Sequence, residues 1–303
     1  MKVFGNVLLL IISFALNGQH VLVLGVAQDG GFPHIGCQNE CLKAHRNSNT
    51  ARYITSLALV DSENKKWWLF EATPDMDRQL QYFRNLNDGE YPYLPEGIFL
   101  THAHIGHYTG LMFLGKEALG AQNMKVYALP KMIEFLKTNG PWDQLVALEN
   151  IETMTMKADT PVEISESISI EAFTVPHRDE YSETAGFRIR GKNKGYIFIP
   201  DINKWHKWDR KILEIVKDPT LNHAFIDATF YDAGELPNRP INEVPHPFVT
   251  ETMRIFDEES MLTRGKIKFI HLNHTNPLLF DKQKRNEVIK KGYGVAEQGK
   301  AYD

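Results

Sequence analysis

The sequence has few cysteines and no strong excess of charge of either sign. Two cysteines occur in 303 residues, and 34 Lys and Arg against 38 Asp and Glu give a formal net charge of −4. Two cysteines exclude a scaffold that depends on many disulfides. Charges of both signs are interspersed, so the sequence shows none of the basic patches that bind nucleic acid, and we expect no nucleic-acid partner.

Linkers, low-complexity tracts and internal repeats are also absent from the sequence. With 43% hydrophobic and 24% charged residues, the composition is that of an ordinary globular protein. The apolar run near the N-terminus, residues 7–16, is too short to span a membrane, which takes about twenty apolar residues. We therefore predict a single domain, with no stable membrane span.

The N-terminus has the pattern of a secretory signal. Lys2 precedes the apolar run, and the polar residues 17–19 follow it. We predict that residues 1–18 form a signal peptide and residues 19–303 the mature domain, in the periplasm or secreted. A buried first strand or helix is the alternative interpretation. The intact mass of the protein from its native host tests this, with a mature N-terminus expected close to Gln19.

The two cysteines, Cys37 and Cys41, lie four residues apart. In an oxidising compartment they are expected to form a disulfide if the loop brings their Cα atoms within bonding range. Alternatively, they are two ligands of a small structural zinc site that also includes His34 or His45. Two cysteines are a weak zinc signal, so we favour the disulfide if the protein is exported.

Predicted strands and helices alternate along the whole chain. Apolar runs predict strands at residues 20–25, 56–61, 66–71, 97–100, 125–128, 168–173, 187–189, 195–199, 224–227 and 267–272. Helical spacing of apolar residues predicts helices at residues 74–85, 132–137 and 249–256. This interleaving indicates an α/β or α+β fold.

Polar residues with metal-binding atoms follow several of these predicted strands. They are His102, His104, His107, His177, Asp201, Asp227 and His274. Loops at strand ends converge on one edge of a sheet, so they build a shared site from distant parts of the sequence. Imidazole and carboxylate groups suit zinc and other divalent first-row metals. A lone histidine is more often a surface or core residue, but this repeated placement favours a metal site.

The order H-x-H-x-x-H, His, Asp, His resembles the metallo-β-lactamase superfamily, whose first motif is usually H-x-H-x-D-H. Three segments further resemble the branch of coenzyme PQQ biosynthesis protein B: LGVAQDGGFP at 24–33, ATPD at 72–75 and NHTNP at 273–277. The resemblance implies an α+β fold, a four-layer αβ/βα sandwich with a metal site at one edge of two facing sheets.

The resemblance also implies a set of metal ligands. The first ion would be bound by His102, His104 and His177, with Asp201 bridging to a second ion that His107 and His274 also bind. Gly106 stands where the family has an aspartate, so Gly106→Asp is expected to raise occupancy of the second site. We expect one or two zinc ions, with iron or manganese as the alternatives.

Hydrolysis is the reaction that such a site performs most naturally, because the ion activates water and polarises the bond that breaks. We predict a hydrolase that cleaves an ester, phosphodiester or similar bond of a small molecule, with Asp201 in the catalytic centre. The alternatives are an oxidative enzyme or carrier of the PQQ-biosynthesis type, and a non-catalytic metal- or ligand-binding protein.

A proton donor is suggested by a second resemblance. Asp227-Ala228-Thr229 and Pro245-His246 are similar to the H-E-A-T and G-H-S-T segments of ribonuclease Z. That resemblance implies that Asp227 orients His246 and favours its protonated form. The alternative is that Asp227 caps local backbone and His246 is an ordinary loop residue.

Overall fold

The computed structural model describes residues 18–237 and 239–303, so the predicted signal peptide, apart from Gly18, lies outside the described residues. These residues form two seven-stranded mixed sheets. The first contains β1 (Gln19–Gly25), β2 (Ser56–Asp61), β3 (Lys66–Phe70), β4 (Ile98–Phe99), β5 (Met124–Ala128), β6 (Ile151–Thr155) and β14 (Ala301–Tyr302). The second contains β7 (Thr160–Ser165), β8 (Ile168–Val175), β9 (Thr184–Arg190), β10 (Gly195–Ile199), β11 (His223–Asp227), β12 (Ile267–Ile270) and β13 (Gly294–Val295).

The two sheets repeat the same arrangement of antiparallel and parallel strands. In the first sheet, β1, β2 and β3 pair antiparallel, and β3 to β6 then pair parallel. In the second sheet, β7 to β10 pair antiparallel, and β10 to β13 pair parallel. Parallel strands have their carboxyl ends at the same edge. The loops that follow β4, β10, β11 and β12 therefore collect the polar residues of the site.

Nine α-helices are present among the described residues, and the apolar faces of several of them cover the outer faces of the two sheets. They are α1 (Leu42–Arg46), α2 (Met76–Leu86), α3 (Ile105–Tyr108), α4 (Pro130–Thr138), α5 (Trp142–Ala147), α6 (Ile212–Lys217), α7 (Val249–Ile255), α8 (Met261–Gly265) and α9 (Lys282–Lys290). On α2, Met76, Leu80 and Phe83 are buried at helical spacing, and Phe83 stacks on Trp67 of β3 at 4.0 Å between ring centroids. Each such side chain contributes roughly 1.5–3 kcal/mol by burial, so this face holds α2 on the sheet.

A separate apolar core lies between the two sheets. Phe70 and Phe99 of the first sheet stack at 5.0 Å, and Phe187 of the second sheet meets both rings edge-on. All three side chains are fully buried. Helix, sheet, sheet and helix therefore form four layers, and the predicted α+β four-layer sandwich is confirmed.

Most predicted strands are present with small shifts at their ends, whereas four short or polar strands were missed. β6, β7, β13 and β14 have no counterpart in the prediction. β7 lies at the edge of its sheet, and its side chains are exposed or half-buried, so its sequence lacks a hydrophobic alternation. The two C-terminal strands have two residues each, too few for any periodicity.

The long connection between β1 and β2 contains both cysteines. Cys37 and Cys41 form a disulfide with their Cα atoms 5.8 Å apart, as favoured from the sequence over a zinc site. The histidines of the alternative zinc site are engaged elsewhere: His45 Nε2 hydrogen-bonds the carbonyl of Cys37, and His34 stacks on His274. No helix among the described residues has the length and apolar character needed to cross a membrane.

Candidate metal centre

Four side chains from three strand ends form what we term the first ligand group. They are His102, His104, His177 and Asp201, and one ligand atom of each lies within 4.8 Å of the others. The two clustered histidines follow β4, His177 follows β8 and Asp201 follows β10. The structure thus brings together the three histidines that the resemblance assigns to the first ion and Asp201, which it assigns as the bridge to the second.

Asp201 is the central residue of the site and is almost completely buried. Its Oδ2 lies 3.6 Å from His102 Nε2, 3.3 Å from His177 Nε2 and 3.7 Å from His107 Nε2. Burial alone would raise the pKa of Asp201, but the neighbouring His177 and His246 hold that pKa well below its ordinary value. Asp201 is therefore an ionised carboxylate that faces both possible metal positions.

A second ligand group consists of Asp29, His107 and His271. Asp29 Oδ1 lies 3.2 Å from His107 Nε2 and 3.4 Å from His271 Nε2. His107 was predicted for this position, whereas Asp29 and His271 were not. One carboxylate and two imidazoles, with Asp201 nearby, form a donor set that suits zinc or another divalent first-row metal.

Asp29 occupies the space that a side chain at residue 106 would need. A Cβ built on Gly106 would lie 2.6 Å from Asp29 Cγ and 2.8 Å from its Cα, distances that real Cβ atoms essentially never show. The glycine therefore leaves room for a carboxylate that arrives from another part of the chain. The second ligand group therefore includes an aspartate, although the H-x-H-x-x-H motif of this sequence lacks one.

His274, predicted as a ligand of the second ion, belongs to neither ligand group. Its ring stacks on that of His34 at 4.3 Å between centroids, and its Nδ1 hydrogen-bonds the side chain of Asn273. His271 takes the predicted place. β12 ends at Ile270, and His271 adopts a positive φ of 64°, a conformation that non-glycine residues rarely adopt. The assignment of His274 is therefore corrected to His271.

Pairing between two distant loops brings Asp29 to His271. Ala27 forms parallel bridges with both Ile54 and Leu272, so the segment after β1 connects to both sheets at this edge. The amide of Gln28 donates to the carbonyl of Leu272 at 2.9 Å. These backbone bonds hold Asp29 and His271 at fixed positions on facing loops.

Most of the ligand histidines have a polar partner on the ring nitrogen that faces away from the metal position. His107 Nδ1 lies 3.4 Å from Glu71 Oε2, and His104 Nε2 lies 2.7 Å from Glu180 Oε2. The Nδ1 atoms of His102 and His271 hydrogen-bond the hydroxyls of Thr101 and Thr229 at 2.9 and 3.0 Å. Such outer partners orient imidazole ligands and raise their basicity in metal sites.

The inner atoms of the site fit a bound metal. The Nε2 atoms of His107, His177 and His271 and Asp29 Oδ1 are buried and have no hydrogen-bond partner among the described residues. Buried polar atoms are nearly always satisfied, so a cation between them explains their arrangement. Burial and the neighbouring His107 lower the pKa of His102 well below its ordinary value. His102 is therefore neutral, which is the form that binds metal.

Asp227 and His246 form a pair, and His246 also contacts Asp201. His246 Nδ1 lies 2.9 Å from Asp227 Oδ2 and 3.0 Å from Asp201 Oδ1. Burial lowers the pKa of His246, but the charges of Asp227 and Asp201 outweigh it and raise that pKa to about 10. Asp227 also accepts hydrogen bonds from the amides of Ile202 and Thr229. Asp227 thus caps local backbone and holds His246, so both alternatives describe part of its environment.

Sequence comparison identifies the class of protein. The model of the family described as the beta-lactamase superfamily domain matches residues 66–289, which is well over half of the chain. The chain therefore belongs to the beta-lactamase superfamily.

The relatives extend this result to nearly the whole chain. Coenzyme PQQ synthesis protein B of Methylorubrum extorquens (strain PA1) is 24% identical, over 94% of this chain and 99% of that protein. Zinc-bound PqqB from Methylobacterium extorquens has the same fold, with a TM-score of 0.74 and 21% identity over 94% of this chain and 99% of the other. A diphosphatase from the PhnP family matches with a TM-score of 0.64 and 20% identity over 94% and 96%. The predicted resemblance to this branch is confirmed.

Proposed function

We propose that the protein is a metal-dependent hydrolase that uses zinc. The observation that carries this proposal is the position of Asp201, which lies between two groups of metal-binding side chains and also contacts His246. A purely structural metal site is closed by its protein ligands, whereas a catalytic one retains a position for water or substrate. In addition, the pair Asp227–His246 places a proton-transfer group directly beside the centre.

Different residues have different roles in the proposed reaction. Zinc, when bound, acts as a Lewis acid and lowers the pKa of water toward neutrality. The first ligand group and the second, both of which Asp201 contacts, would hold the metal. His246 is positioned to give a proton to the leaving group, because its Nδ1 is held by carboxylates and the ring lines a cavity beside the centre. Asp227 fixes the orientation of that ring.

Metal analysis combined with a substrate screen tests the proposal. We expect about one to two equivalents of zinc per chain after purification without chelators. Activity on bis(p-nitrophenyl) phosphate or p-nitrophenyl acetate should disappear on chelation and return with zinc. Full activity after chelation would contradict the proposal, as would unchanged metal content in the variant His104→Ala combined with His177→Ala.

The similarity to coenzyme PQQ synthesis protein B over nearly both full lengths supports a second candidate, an oxidative enzyme or carrier of that biosynthetic type. The two candidates differ in what the reaction consumes. Turnover that depends on iron and dioxygen would favour the second candidate, and zinc-dependent turnover with water alone would favour the hydrolase. Bound metal without turnover under either condition would indicate a non-catalytic binding protein.

Replacing His246 by alanine is expected to lower kcat by about a hundred- to ten-thousandfold on substrates with basic leaving groups. The reason is that a poor leaving group needs a proton as its bond breaks. Nitrophenolate leaves without one, so nitrophenyl substrates should be affected far less, and metal content should not change. Rates on paired alkyl and nitrophenyl esters of the same acid provide the measurement.

His223→Ala is a matched control for that variant, because His223 lies at the opposite end of β11 from Asp227. It should affect both kinds of substrate equally and only slightly. Equal losses on alkyl and nitrophenyl substrates for His246→Ala, or loss of metal, would remove the donor role from His246.

A further inference from the structure

A cavity of about 380 Å³ lies against the metal centre. Its wall includes His177 of the first ligand group and His246, together with the charged residues Arg178, Lys207, Arg239 and Glu243. The volume is near the lower end of the range for small-ligand pockets, about 300–1,000 Å³. A substrate in this cavity therefore touches both a metal ligand and the proton-transfer group.

Three cations and one carboxylate line this cavity, although the whole chain has a net charge of −4. The cations come from three loops: Arg178 follows β8, Lys207 ends the short 3-10 turn Trp205–Lys207, and Arg239 lies between β11 and α7. Three cations from separate loops give this wall a local positive charge, and such a charge attracts anions. The local charge therefore points to an anionic ligand.

The ion pairs in the described part of the chain leave most of this charge uncompensated. Arg178 Nε lies 3.8 Å from Glu180 Oε1, and its Nη2 lies 3.4 Å from His104 Nδ1. Lys207 and Arg239 have no ion pair with a carboxylate among the described residues. Their ammonium and guanidinium groups are available to a ligand that enters the cavity.

We infer that this cavity binds the substrate and that its cations select a small phosphodiester over a neutral ester. The inference rests on the proposed hydrolase function and adds the substrate class. A phosphodiester carries one negative charge at neutral pH, and guanidinium and ammonium groups bind phosphate oxygens with strong charge-assisted hydrogen bonds. A neutral carboxylic ester gains nothing from these cations.

The reaction balances with water as the only co-reactant. One P–O ester bond breaks, and the hydroxyl of water adds to phosphorus. The proton from His246 goes to the leaving oxygen, which departs as an alcohol, and the proton released by water restores His246. The product is a phosphomonoester, whose additional acidic group ionises into the solvent.

The double variant Lys207→Gln/Arg239→Gln, loaded with zinc, tests the inference. We expect KM for bis(p-nitrophenyl) phosphate to rise about tenfold or more, since hydrogen bonds to charged groups are lost. The ratio of kcat/KM for the phosphodiester to that for p-nitrophenyl acetate should fall by a similar factor. Zinc content should match that of the unaltered protein. Lys211→Gln/Arg84→Gln, which removes two exposed cations outside the cavity wall, is the matched control.

Calorimetric binding of inorganic phosphate separates this inference from the proposed hydrolase function. Weaker phosphate binding by the cavity variant than by the control, with no turnover of either ester by any form, would support the anion site and refute the hydrolase. Equal phosphate binding and an equal substrate ratio in cavity variant and control would overturn the inference even if the protein is a hydrolase. Failure of the unaltered zinc protein to bind phosphate would overturn it as well.

Discussion

Replacing Asp201 by alanine should remove metal from both ligand groups and lower the rate of hydrolysis at least about a thousandfold. Its Oδ2 lies within 3.7 Å of the Nε2 atoms of His102, His107 and His177, so this carboxylate oxygen faces both groups. Loss of the metal removes several kcal/mol of stabilisation from the transition state, and each 1.4 kcal/mol corresponds to a factor of ten in rate.

Elemental analysis and the rate on the best substrate of the screen provide the measurement for Asp201→Ala. Asp201→Asn preserves the shape but removes the charge, so it should also lose metal, whereas Asp209→Ala, an exposed aspartate on the same loop, should lose none. Retention of two equivalents of metal by Asp201→Ala would show that this carboxylate does not join the two groups. Thermal unfolding of all three variants checks that each is folded.

Substitutions at Gly106 and Asp29 are expected to weaken metal binding, whereas the sequence alone predicts a gain of metal for Gly106→Asp. Gly106→Asp by itself should lower metal occupancy, because its side chain would collide with Asp29. Asp29→Ala should weaken binding of the second ion by at least about a hundredfold, the upper end of what loss of an outer partner causes. The double variant Asp29→Ala/Gly106→Asp should bind the second ion no better than Asp29→Ala, because a Cβ at residue 106 would still lie 2.8 Å from the Cα of residue 29.

Zinc titration against a competing chelator measures the two binding steps in all three variants. Asp77→Ala, which removes an exposed aspartate on α2, is the control and should bind zinc like the unaltered protein. A gain of metal in Gly106→Asp alone would refute the interpretation that Asp29 fills this space. A double variant that binds the second ion more tightly than Asp29→Ala would refute the predicted clash between residue 106 and the backbone of residue 29.

The sequence by itself determined the features that depend on local patterns. Apolar runs followed directly by His102, His177 and Asp201 identify strand ends, and parallel strands bring such ends to one edge of a sheet. Order and spacing therefore placed these residues at one edge of a sheet, and the resemblance to the metallo-β-lactamase superfamily assigned them to the first ion. The resemblance named Asp227 and His246, but only the structure shows that they lie 2.9 Å apart.

Only the tertiary structure decided the second ligand group. Asp29 lies in a glycine-rich turn far from residue 106 along the chain, so no local spacing connects it to the clustered histidines. His271 was assigned to the interior of a strand, whereas β12 ends one residue earlier and a positive φ turns the chain there. The spacing of residues along the sequence indicates which residue follows a strand. The position of Asp29 beside Gly106 depends on the paths of two loops. Long-range backbone pairing, such as that of Ala27 with Leu272, sets these paths.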